Sequence, residues 1–109
     1  MENIEVIVKK LIKDIPPIVK LLRQNKGNEA YTEFGKMFGE LNNAMLTFIN
    51  AIPAINSMGL DIPTDVVISQ LNNMVEGFQH KDNVLLADTL EYEIMESIKL
   101  YDEILMQIQ

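Results

Sequence analysis

Apolar side chains recur along this chain at alternating steps of three and four. Ile4, Val8, Leu11, Ile15, Ile18 and Leu22 do so in the first segment, and Ile7, Ile12 and Val19 widen the stripe. That spacing keeps one side of a helix apolar, whereas a half-buried strand needs a period of two. Pro16-Pro17 falls inside the segment. Proline removes backbone donors and pushes the residue before it, Ile15, away from the helical region. The stripe nevertheless keeps its register across the pair, so one helix with a sharp kink or a one-residue break near Asp14–Pro16 is expected. Lys26-Gly27-Asn28 should stop it, with glycine as the usual left-handed cap.

The second segment has the cleanest pattern. Tyr31, Phe34, Phe38, Leu41, Met45, Phe48, Ile52 and Ile55 alternate steps of three and four, and three of the four phenylalanines lie on this stripe. Gly35 and Gly39 sit four apart on a neighbouring face, where they weaken the helix and offer another backbone a close approach. Pro53 lies on a continuing stripe, which predicts a late kink instead of an early end. The connection Ser57–Thr64 contains Gly59, suited to positive φ, and Pro63, suited to a first helical turn; Asp61 or Thr64 is the expected cap. A third helix from about Pro63 to Gln79 carries Val67, Leu71, Met74 and Phe78. After the turn His80-Lys81-Asp82-Asn83, Val84, Ala87, Leu90, Ile94, Ile98, Tyr101, Leu105 and Ile108 run nearly to the end. One double step of four, Leu90 to Ile94 to Ile98, shifts this last stripe around its helix.

Four amphipathic segments with short connections describe an all-α, up-down-up-down four-helix bundle, a single domain over residues 1–109 with a proline-kinked first helix. In the runner-up, the first segment swaps onto a partner chain around a three-helix core. The 109-residue length suits one domain with its own core. Zero cysteine excludes disulfides, cysteine-ligated metals and cysteine nucleophiles. A formal net charge of −7 opposes binding to nucleic-acid phosphates. The acidic start Met1-Glu2-Asn3-Ile4-Glu5 is unlike a targeting segment, and no apolar run reaches the ~18 residues of a membrane span. A cytoplasmic protein with no membrane contact is the expectation.

Charge is unevenly placed. Residues 1–26 carry six bases against three acids, and residues 82–109 carry seven acids against Lys99 alone. The first and last helices are therefore expected to be neighbours, with flanking charges selecting that pairing.

Candidate chemistry is sparse. A di-iron bundle needs two Glu-x-x-His pairs, and this chain has only His80, preceded four residues earlier by Glu76. His80 is expected to favour the negative end of a helix. Ser57, Ser69 and Ser97 have no adjacent base, and the five glycines are too scattered for a phosphate loop. No catalytic residue, metal site or cofactor is expected. Asp88 and Glu91, beside Tyr92, lie on a stripe bordering the main one and require hydrogen bonds, a base or an open edge. Lys9, Lys13, Lys20 and Arg23 are the candidate bases. Met37, Met95 and Met106 lie off the main stripes and would mark an interface if exposed together.

The run Asp82-Asn83-Val84-Leu85-Leu86-Ala87-Asp88-Thr89-Leu90-Glu91-Tyr92-Glu93 resembles a segment of small, uncharacterised bacterial helical proteins that opens their last helix, and Ile62-Pro63-Thr64-Asp65-Val66 fits the same pattern. Together they cover roughly the last 50 residues. The resemblance implies no activity. In size, acidity and helix count the chain also looks like flagellar export chaperones, helical bundles that bind a partner's terminal helices; that likeness is architectural. The resulting expectation is a non-enzymatic interaction protein that binds a partner helix or itself as a homodimer, with Met37, Met95, Met106, Asp88, Glu91 and Tyr92 as its candidate surface. The apolar residues on two adjoining faces of the first helix, Ile7 and Ile12 beside Val8 and Leu11, favour the homodimer. The alternative is a small-molecule- or metal-binding enzyme using the carboxylates of the last helix.

Overall fold

A computed structural model describes residues 3–108, and these form an all-helical bundle. The Met1-Glu2 start lies outside them. Helix α1 spans Ile4–Arg23, α2 Gly27–Ser57 and α3 Thr64–Gln79. The fourth helix is continuous but changes its winding: α4 spans Asn83–Asp88, a π-helical segment spans Thr89–Ile94, and α5 spans Met95–Gln107. Helix α1 packs in its own chain between α2 and the fourth helix, and α3 packs against α2, α4 and the π segment. The first and last helices are therefore neighbours, as the charge distribution requires.

Helix α1 runs unbroken through Pro16 and Pro17, so of the two expected outcomes, a sharp kink or a one-residue break, the break is not there. The two prolines offer no N–H to the carbonyls of Ile12 and Lys13. Both proline rings are exposed, while Ile15, Ile18 and Val19 around them are buried. Burial of one apolar stripe thus holds the helix together across a pair that propensity alone would not carry. Helix α2 likewise continues past Pro53. Ile7 and Ile12 on the adjoining face are partly buried against the core of their own chain.

Two turns at one end of the bundle are built alike. Asn25 (φ 58°) and Lys81 (φ 51°) are the left-handed residues, and the next N–H reaches back five residues, from Lys26 to Leu21 and from Asp82 to Gly77. This is the Schellman closure. The left-handed position expected at Gly27 is taken by Asn25, and Gly27 opens α2 instead. At the other end Gly59 has φ 108°, and the Asn56 side chain clamps the connection by accepting from Ile62 N at 2.8 Å and donating to Ile62 O at 3.0 Å. Pro63 is itself the N-cap of α3, which has no side-chain capping bond, so neither Asp61 nor Thr64 caps it. His80 is the exposed C-cap residue of α3, with Nδ1 4.0 Å from Glu76.

The core differs from the expected stripes on α2 and on the fourth helix, and Ile4 on α1 and Phe78 on α3 are only partly buried. On α2 the buried set is Ala30, Phe34, Met37, Leu41, Ala44, Met45, Phe48, Ile52 and Ile55, with Tyr31 and Phe38 only partly buried. Ala30, Met37 and Ala44 repeat every seven residues, and the small alanines hid this second edge of the stripe. On the fourth helix Leu90, Ile94 and Ile98 are fully buried, and the first two lie in the π segment. Bonds from i to i+5 place more residues in each turn, which suits steps of four. Thr89, first in that segment, is buried with its hydroxyl unpaired among the described residues. Val84 and Ile108, expected on the stripe, are exposed.

Close backbone approach occurs at a glycine other than the two expected. A Cβ on Gly35 or Gly39 would meet nothing within 4 Å, whereas one on Gly77 would lie 3.0 Å from Leu86 N and 3.1 Å from Leu86 Cα. Gly77 is where α3 touches α4.

Candidate functional site

The candidate surface residues divide among separate places. Asp88 and Glu91 stand one turn apart on the fourth helix and face the last turn of α1, where Arg23 also favours the negative helix end. Arg23 Nη2 donates to Asp88 Oδ1 at 2.8 Å and to Glu91 Oε1 at 3.0 Å, and Arg23 Nε donates to the same Glu91 oxygen at 3.1 Å. The guanidinium carbon lies 5.8 Å from the centroid of the exposed Tyr92 ring, within cation–π range. Donating hydrogen bonds to Asp88 first, and then to Glu91, raises the Arg23 pKa above its ordinary value. Both carboxylates are held by one planar cation, which is the pairing expected of them.

The three methionines are not exposed together. Met37 is 7% exposed and Met95 8%, against 58% for Met106. Met37 belongs to the α2 core stripe between Ala30 and Ala44. Met95 packs at the α1 side of α5 and contributes to a cleft there. Met106 stands apart, its sulfur 3.6 Å from Lys9 Nζ, which also pairs with Asp102 at 3.1 Å.

Several clefts open between these elements, among them three of about 340 Å³ or more. One of about 420 Å³ between α1 and α2 holds Lys10, Glu40, Lys36 and Glu33, and these charges form ion pairs with each other (Lys10–Glu40 at 3.0 Å, Lys36–Glu33 at 3.3 Å). A second, of about 480 Å³, lies between α1 and the π segment and is lined by Pro16, Val19, Lys20, Arg23, Gln24, Glu91, Met95 and Lys99. The third, of about 340 Å³, opens where α3 parts from α5. Phe48, Ile62 and Val67 form its floor, and Val66, Gln70, Glu96 and Leu100 its walls. Phe48 stacks on Tyr101 with centroids 4.8 Å apart, and Ser97 Oγ donates to Gln70 Oε1 at 2.6 Å across the gap.

Val66 and Leu100, neither of them among the expected surface residues, are exposed apolar side chains at this groove. Both lie off the main stripes, Val66 beside Val67 and Leu100 between Ile98 and Tyr101, so an unused aliphatic position was the signal available. Among the described residues no three His, Cys, Asp or Glu side chains gather as a metal-ligand group, and no helix is long and apolar enough to cross a membrane.

Among curated proteins and solved structures none matches this chain. A family model does, over residues 1–104. With nearly its whole length matched, the chain belongs to the family described as Domain of unknown function (DUF8042).

Proposed function

We propose that this protein is a non-enzymatic interaction module that takes a basic, amphipathic helix of a partner protein into the groove between α3 and α5. The observation that carries this reading is the groove itself, which is apolar, open and acidic along one edge. Val66 and Leu100 project from its walls over Phe48 and Ile62. Glu96 lines it, and Glu93 and Glu103 lie along the same side of the helix; none of the three has an ion pair among the described residues. Helix α3 carries no lysine or arginine to answer them. An apolar groove with unanswered acids favours an apolar helix face flanked by bases. The likeness to flagellar export chaperones, which bind helices of a partner, leans the same way.

A synthetic 14-residue amphipathic helix of leucine and lysine is the probe, followed by amide chemical shifts of the full chain. The expected result is saturable shifts at Val66, Gln70, Glu96 and Leu100, with at least tenfold weaker binding in a Val66→Asp/Leu100→Asp variant of unchanged helicity. Shifts that persist in the variant, or that a leucine–glutamate peptide reproduces, would overturn the proposal. A solution mass near twice 12.4 kDa, with the same amides covered by a second copy, would replace the partner by self-association.

A further inference from the structure

The cleft between α1 and the π segment is chemically the opposite of the α3–α5 groove. On a chain of net charge −7 it gathers Lys20, Arg23 and Lys99 around an apolar wall of Pro16, Val19 and Met95. Arg23 is engaged by Asp88 and Glu91. Lys20 and Lys99 form no ion pair among the described residues. With Arg23 taken up by Asp88 and Glu91, the ammonium groups of Lys20 and Lys99 are the cations left at the edge of an apolar surface.

We propose that this cleft binds a small monocarboxylate with an apolar body, such as a medium-chain acyl or aryl acid. The carboxylate sits between Lys20 and Lys99, as charge-assisted hydrogen bonds to an anion require. The chain or ring lies on Val19 and Met95, where burial of apolar area supplies the affinity. Glu91 in the lining repels a more highly charged head group, which favours a monoanion over a phosphate. Arg23, already paired with Asp88 and Glu91, leaves the two lysines to meet the carboxylate. This site is independent of the α3–α5 groove and of the helix proposed to dock there.

The test titrates the full chain with decanoate below its micellar range and, in parallel, with decanol, inorganic phosphate and vesicles containing phosphatidylglycerol. The expected result is saturable binding of decanoate, with shifts of the Met95 methyl and of the Lys20 and Lys99 amides. Decanol should bind at least tenfold more weakly, and phosphate and vesicles should not bind. Lys20→Ala/Lys99→Ala should weaken decanoate binding at least tenfold, and Lys20→Arg/Lys99→Arg should restore most of it. Equal binding of decanol and decanoate, or a double-alanine variant that binds as the wild type does, overturns the proposal. Co-sedimentation with the vesicles also overturns it, in favour of an anionic lipid surface.

Discussion

Along the α1 side of the fourth helix Asp88 and Glu91 share Arg23, and Asp102 takes Lys9. Along the α3 side Glu93, Glu96 and Glu103 have no base among the described residues. The difference follows from the neighbours. Helix α1 is rich in lysine, whereas α3 has none, so α3 meets the fourth helix by shape and the Ser97–Gln70 hydrogen bond, with no ion pair among the described residues. Shape suffices at one end, where Gly77 lets the Leu86 backbone within contact distance, and fails at the other, where α3 parts from α5 and exposes Val66 and Leu100. A helix interface closed by charge can tolerate imperfect packing, and one closed by shape opens wherever the shapes diverge.

The largest effect is expected at the shape-closed end. Gly77→Val places new methyl groups against the Leu86 backbone and is expected to lower stability by about 1–3 kcal/mol, the usual cost of overpacking. Gly39→Ala, with open space around it, is expected to raise stability by about 0.5–1 kcal/mol through backbone entropy. Urea unfolding followed by circular dichroism measures both, and a loss at Gly39 would mean that α2 is approached there after all.

The charge-closed flank gives a smaller effect. Asp102→Asn removes the partner of Lys9, which is itself more than half exposed, and is expected to cost about 0.2–1 kcal/mol, less at high salt. Glu103→Gln removes an acid with no partner and is expected to leave stability unchanged or slightly raised. Equal losses at the two positions in a paired thermal melt would erase the distinction between the flanks.

The smallest effect belongs to neither flank. Burial pushes the Tyr101 phenol up from its ordinary value of 10.0, and burial, then Asp82, pushes Tyr31 up. A raised value means that the folded chain keeps the proton longer than the unfolded chain does. The stability this confers is complete below about pH 10 and is lost as pH rises through the folded value. Thermal midpoints should therefore fall on the alkaline side, and Tyr101→Phe should flatten that limb without changing the midpoint difference between Asp102→Asn and wild type at pH 7.

The four helices, their approximate limits and most of the core face were legible in the spacing of apolar residues, because periodicity is a local property of each segment. Even the double step of four at Leu90, Ile94 and Ile98 marked the place where the winding widens. Arg23 was legible as one of four candidate bases for Asp88 and Glu91, since the charge bias of the first and last helices is written in their composition. The methionines were not legible. Met37 is buried because Ala30 and Ala44 complete a second edge of the α2 stripe, and small residues give a weak periodic signal. Met95 is buried because α1 covers that side of α5. Which glycine meets a backbone, which acid finds a base and where two helices part depend on how axes from distant segments lie against each other. What each helix presents is written in its own residues, and what stands opposite it is set by how helices from distant segments pack.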